Sequence, residues 1–296
     1  MTFLDYAARG KTTWWRWLVT GICGFAGGMA LTAAGMATLM ACGVPPADLT
    51  RELTSPSRPT MFFPLVGLVF GALLLGYVGA VRLLQAKRFG DIIGSWRWRA
   101  FGLGAGLWLG VQLLATLIDY ATTPGDFRVT ASAATGVLAV AALFGLAIQT
   151  FMEEFIFRGI VTQAILLATR RPMVTAMISG AVFGALHIPN GTPQALEATA
   201  FGVVTALIAV RTGGLAFGWG LHLVNNLYGA VVVVSTHDVF QGAPGLLTFI
   251  GPVRLGWDSV LAVSTLLFAL WVATRRWSKG DGVANGRAVE AEPGGI

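Results

Sequence analysis

Charge is scarce in this 296-residue chain: Asp, Glu, Lys and Arg together make up 11%. A soluble domain carries about 25%, so the shortfall excludes an ordinary water-soluble globule. The charges that exist are clustered, and long runs carry none: Trp17 to Ala47, Pro59 to Val81, Ala100 to Ile118 and Val129 to Met152. A helix needs about 20 apolar residues to cross a bilayer core, and these runs reach that length. Cysteine is nearly missing too. Cys23 and Cys42 lie 19 residues apart on one apolar run, about 28 Å along a helix and too far for a disulfide. They read as packing residues. No cysteine lies near the motifs described below, and neither a Gly-x-Ser-x-Gly elbow nor a helical His-Glu-x-x-His set is present. An internal repeat and a soluble second domain are absent as well.

The net charge of +6 would suit nucleic acid, but the basic residues flank apolar runs and form no single patch, which excludes that partner. They act as topology signals in a lipid bilayer. The hydrophobic pattern predicts an all-α, polytopic membrane protein of about eight transmembrane helices. The segments are 17–42, 60–84, 100–119, 130–168, 173–189, 195–210, 213–235 and 257–275. The fourth is too long for one simple crossing: it is one long tilted helix, or a short helix followed by the crossing proper. The first run, 31 residues long, exceeds a signal-peptide core and is read as a retained helix. The membrane domain is placed at 1–277, its motif-bearing core at about 143–235, and a disordered cytoplasmic tail at 278–296.

With eight crossings, 15 of the 20 Lys and Arg residues fall on one side. The positive-inside rule makes that side cytoplasmic and puts both termini there, most simply in a bacterial plasma membrane. Trp14, Trp15, Trp17, Trp96, Trp98, Trp271 and Trp277 flank basic residues at segment ends, as an aromatic belt requires. Gly24 and Gly28, Gly67 and Gly71, and the row Gly102, Gly106 and Gly110 have the four-residue spacing that lets helices approach closely.

Ionisable groups inside a bilayer are costly and mark function by default. In Glu153-Glu154-Phe155-Ile156-Phe157-Arg158, Glu154 and Arg158 are four apart and share a helix face. Glu153 lies about 100° round the helix, and a buried carboxylate without a countercharge can serve as a base. In Phe183-Gly184-Ala185-Leu186-His187, Phe183 and His187 share a face. In His222-Leu223-Val224-Asn225-Asn226, His222 and Asn226 do. Each group alone has a plain structural alternative: an ion pair linking helices, a hydrogen-bonded core histidine, and interhelical polar glue. Depth brings them together. Glu154 lies 16 residues before Arg170 and His187 lies 16 after Arg171, so both stand about 24 Å above the same turn. His222, 11 residues beyond Arg211, stands about 16 Å above its own.

Glu-Glu-x-x-x-Arg, Phe-x-x-x-His and His-x-x-x-Asn, in this order on membrane helices, resemble the CPBP family: the type II CAAX prenyl proteases and bacterial Abi-type, bacteriocin-processing relatives. The motifs span Glu153 to Asn226, about a quarter of the chain. The resemblance implies an intramembrane endopeptidase acting on a peptide or membrane-protein substrate. Carried across, Glu153 and His187 hold and activate the attacking water. His222 and Asn226 stabilise the oxyanion, while Glu154 and Arg158 brace the site, supported by Phe183. Peptide hydrolysis needs such a base and such donors. Glu153, Glu154, His187 and His222 also form an acceptable zinc set, but the expectation is that no metal is obligatory. The rival class is a non-catalytic transporter, immunity or scaffold protein that uses the same buried groups structurally. Against transport, no inverted repeat or matched pair of broken helices is found.

Overall fold

A computed structural model describes residues 1–54, 58–237, 240–241, 243–251 and 257–277. The tail expected at 278–296 lies outside the described residues. In chain order the helices are α1 (Phe3–Ala7), α2 (Trp14–Ala41), α3 (Pro46–Thr54), α4 (Pro59–Gln85), α5 (Phe89–Ile93) and α6 (Trp98–Thr122). Strand β1 (Phe127–Val129) follows, then α7 (Ala133–Glu154), α8 (Thr162–Thr169), α9 (Pro172–Ala185), α10 (Thr192–Thr212) and α11 (Ala216–Leu227). Strands β2 (Val233–Ser235) and β3 (Leu247–Phe249) precede α12 (Trp257–Trp277).

All eight expected segments contain helix, but the span count changes. Among the described residues, six helices are long and apolar enough to cross a membrane: α2, α4, α6, the continuous run from α7 through α8, α10 and α12. The protein is an integral, multi-pass membrane protein. The fifth and seventh segments contain α9, of 14 residues, and α11, of 12, about 21 and 18 Å long against a core of about 30 Å. Local chemistry explains the shortening. Helix α9 ends before His187 and Pro189, where a short 3₁₀ turn bends the chain. The seventh segment passes from α11 into a π-helical turn at Tyr228–Val232 and then becomes strand β2. The fourth segment follows the first of its two alternatives. It is a single helix from Ala133 to Thr169, about 55 Å long, broken in register by a π-helical stretch at Phe155–Val161.

Close helix contacts use glycine. A methyl on Gly76 would overlap the backbone of Gly28, which locks α2 against α4. Methyls on Gly180 and Gly184 would overlap α10 at Val203 and Thr199, and methyls on Gly104 and Gly220 would overlap carbonyls of the facing helix at Phe217 and Phe101. The expected row Gly102, Gly106 and Gly110 faces open space. On α6 the contact face is the one bearing Ala100, Gly104 and Trp108, so the lipid side carries that row. The cysteines are also not packing residues, because both are free and exposed. Trp14, Trp98 and Trp271 are exposed as belt residues should be, but Trp17 is buried beneath the Lys87 ammonium.

Three connections meet at one end of the bundle. Lys11 N–H donates to Gln85 O at 2.6 Å, Ser95 N–H to Gly213 O at 2.8 Å and Leu215 N–H to Ile93 O at 3.1 Å. Lys87 donates to the carbonyls of Tyr6 and Ala7 and to Gln163 Oε1 at 3.0, 2.8 and 3.1 Å. It thereby ties α1 to α8. A small sheet of order β1-β3-β2 gathers the connections that follow α6 and α11; β3 pairs antiparallel with β1 and parallel with β2. Apart from an isolated antiparallel bridge between Gly94 and Gly214, it is the departure from an all-α chain among the described residues.

Candidate active site

The long helix α7 delivers Glu153 and Glu154 at its C-terminal end, where the chain passes into the π-helical stretch. Such stretches are frequent at functional sites. Here the altered ladder has local support. The Phe157 carbonyl accepts from Thr162 Oγ1 at 2.8 Å and from Ser179 Oγ at 3.1 Å. The second π-helical turn begins two residues after Asn226. Both glutamate and His-Asn motifs therefore sit immediately before a change of helical register.

Glu154 and Arg158 form the ion pair that their spacing predicts. Arg158 Nη1 lies 3.2 Å from Glu154 Oε1, with side-chain exposures of 1% and 0%. Such burial makes the pair costly to form and more costly to break. The guanidinium is held on three further sides. Its Nε–H donates to Thr205 Oγ1 at 2.8 Å, and its carbon lies 4.2 Å from the Phe183 ring and 5.7 Å from the Phe201 ring. Phe183 is thus a platform for the cation. Gly218 on α11 faces this pair, and a methyl there would come within 3.1 Å of Glu154 Oε2.

His222 lies between the two glutamates. Its Nδ1 is 2.9 Å from Glu154 Oε1, and its Nε2 is 3.5 Å from Glu153 Oε2. The rings of Phe183 and Phe201 wall it at 5.9 and 5.2 Å between centroids. Both ring nitrogens face carboxylate oxygens, which accept only, so Nδ1–H donates to Glu154 and Nε2 donates toward Glu153 when the ring is doubly protonated.

His187 sits just past the end of α9. Its Nδ1 lies 2.8 Å from the carbonyl oxygen of Phe183, and its ring packs on the Phe183 ring at 4.6 Å. The carbonyl accepts only, so Nδ1 is again protonated and Nε2 keeps its lone pair. Among the described residues, no hydrogen bond or ion pair joins His187 to either glutamate. Phe183 stands between His187 and the His222–Arg158 cluster and touches both. As to zinc, no three His, Cys, Asp or Glu side chains among the described residues are disposed to hold one ion. Among the described residues, His187 makes no hydrogen bond or ion pair with the other three donors of the zinc set, and its contacts are with Phe183.

Asn226 Nδ2 donates to Gln149 Oε1 at 3.0 Å, and Gln149 Nε2 donates to Glu153 Oε1. On the far side, Asn225 Nδ2 donates to Asn226 Oδ1 at 3.1 Å, and Trp108 Nε1 donates to Asn225 Oδ1 at 3.0 Å. Gln149, Asn225, Trp108 and Thr205 join the site although no motif names them. Gln149 alone had a signal in the chain, four residues before Glu153 on the same face.

Residues 134–228 match the family model described as type II CAAX prenyl endopeptidase Rce1-like. The segment that builds this site is Rce1-like. It contains every motif residue from Glu153 to Asn226, in agreement with the CPBP resemblance. A Bacillus subtilis (strain 168) protein described as "Uncharacterized protein YyaK" is 28% identical over 218 residues, spanning 69% of this chain and 73% of the relative. No solved structure matches the chain. The Rce1-like proteins are a protease family of the membrane, and their substrates are peptides or proteins.

Proposed function

We propose that this chain is an intramembrane endopeptidase that hydrolyses a peptide bond of a membrane-associated protein or peptide. The observation that carries the reading is the buried cluster of Glu153, Glu154, Arg158 and His222 within apolar helices of the Rce1-like segment. Glu153 is the general base. It takes a proton from water, and the oxygen attacks the scissile carbonyl carbon. His187, with its free Nε2, helps to hold that water from the end of α9. The carbonyl oxygen of the tetrahedral intermediate takes hydrogen bonds from the Nε2–H of His222, which donates there in its doubly protonated form, and from the second Nδ2–H of Asn226. Collapse breaks the C–N bond, and Glu153 returns its proton to the leaving amine. Glu154 and Arg158 do not react. They hold His222 by its Nδ1 so that Nε2 points inward.

The bonding of His187 to Phe183, and to neither glutamate among the described residues, supports a mechanism without an obligatory metal. The clustering of basic loops at one end of the bundle supports cytoplasmic termini in a bacterial plasma membrane. The test is detergent-purified protein, wild type beside Glu153→Ala, on a peptide library with and without chelator. Cleavage by wild type alone, unchanged by chelator, is expected. No cleavage by wild type would favour the non-catalytic membrane protein. Loss of cleavage on chelation with recovery on added zinc would replace the metal-free mechanism.

A further inference from the structure

We infer that Trp108, Asn225 and Gln149 are positioning residues that fix which oxygen of Glu153 is free to act as base; this rests on the proposed peptidase reading. The four hydrogen bonds from Trp108 through Asn225, Asn226 and Gln149 to Glu153 form one continuous chain. Its ends differ in kind. The indole N–H of Trp108 can only donate, and an ionised Glu153 can only accept. Each of the three amides between them can turn over, exchanging its donor and acceptor ends. Trp108 removes that choice. Asn225 must present Oδ1 to the indole, so its Nδ2 faces Asn226. Asn226 then presents Oδ1 to Asn225 and Nδ2 to Gln149. Gln149 in turn presents Oε1 to Asn226 and Nε2 to Glu153.

Trp108 is buried on α6 and its ring is wedged against Phe201 at 5.9 Å, so the terminal donor is held in place. The consequence at the site is an asymmetric carboxylate. Oε1 of Glu153 is taken by Gln149, and Oε2 has no hydrogen-bond partner among the described residues and lies 3.5 Å from His222 Nε2. Oε2 is the oxygen left to receive a proton. The same chain holds the Asn226 amide with Nδ2 toward the site, so base and oxyanion donor are oriented by one indole on a third helix.

The sharpest probe is Asn225→Asp, which preserves shape, replaces the donor by an acceptor and adds a charge; Trp108→Phe, which adds none, controls for that charge. The carboxylate introduced there offers acceptors to both neighbours, so Asn226 turns over, Gln149 turns over, and Gln149 Oε1 meets the Glu153 carboxylate. Infrared spectra of the purified protein, each subtracted from the same variant carrying Glu153→Gln, isolate the Glu153 carboxylate band without any substrate. The band should shift in Asn225→Asp, in Gln149→Leu and in Trp108→Phe. It should stay in place in Leu75→Ala, an exposed position on α4. On cleaved library peptides, Gln149→Leu and Asn225→Asp should lower kcat about tenfold, the size of one charge-assisted hydrogen bond, with KM unchanged. A wild-type band position in Asn225→Asp and Trp108→Phe overturns the inference. Absence of cleavage by wild type sinks the peptidase reading instead, and the infrared comparison still decides the positioning role.

Discussion

Arg158→Ala removes one partner from a pair that is almost wholly out of solvent. Glu154 then keeps a single bond, from His222 Nδ1 at 2.9 Å, and its Oε2 already has no partner among the described residues. Breaking a buried pair in this way costs about 3–5 kcal/mol. Loss of the contacts with Phe183 at 4.2 Å and with Thr205 at 2.8 Å acts in the same direction. For a chain of this size, 1 kcal/mol moves a melting midpoint by about 2–4 °C, so the pair alone predicts a drop of about 6–20 °C. The assay is intrinsic tryptophan fluorescence against temperature, in one detergent and at one scan rate, because such unfolding is often rate-governed. Glu154→Gln combined with Arg158→Met should recover part of the loss, since neither charge is then stranded. Phe183→Leu should fall less, because it removes only the aromatic face under the cation, worth about 0.5–2 kcal/mol. If Arg158→Ala melts within about 2 °C of wild type, the pair contributes nothing of the expected size.

Glu153→Gln and His187→Ala should each reduce cleavage by at least about 10²-fold while melting like wild type; near-normal turnover in Glu153→Gln would remove it as base. Asn226→Ala should lower turnover by about 10²–10³ with binding largely kept, measured as kcat beside KM. Reporter fusions at residue 296 and near residue 125 should report opposite sides of the membrane, the first cytoplasmic, and the same side for both would break the assigned topology. Burial holds the Lys87 ammonium down at about 8, with Asp91 raising it and Arg9 lowering it further. Between pH 8 and the unfolded value of 10.5 the unfolded chain binds more protons, so stability rises with pH in that window. Wild type should therefore gain melting temperature relative to Lys87→Met from pH 8 to 10.5, and a flat difference would contradict the buried placement.

What the chain disclosed and what it withheld divide along one physical line. Interactions within a helix are set by spacing, so the Glu154–Arg158 pair at four residues is legible, and so are the long apolar helices, whereas the short helices α1, α3 and α5 carry no such signal. Lengths of apolar runs are legible as well, but not where a run stops being helix. The segments at 173–189 and 213–235 read as spans because nothing in hydropathy marks the turn at His187 or the passage from Asn226 into a π-helical turn and a strand. Helix rotation is hidden for a related reason. On α6, Gly102, Gly106 and Gly110 and the single Gly104 have equal claims to a packing face. Only the presence of Gly220 and Phe217 opposite decides for Gly104.

The same limit governs the site. His222 and Asn226 share a face, which leaves open what that face meets. Spacing offers no way to see that His222 enters between two glutamates, because that depends on how α11 is turned against α7. Once the turn is fixed, the roles sort themselves by reach. Glu154 is wholly buried and is engaged twice at one oxygen, Oε1, by Arg158 at 3.2 Å and by His222 at 2.9 Å. Glu153 is the more exposed of the two at 13% and has one oxygen taken by Gln149. Both carboxylates keep a buried Oε2 without a hydrogen-bond partner among the described residues, so what separates them is the pairing with the Arg158 cation, which ties up Glu154, and the residual side-chain exposure, which only Glu153 keeps.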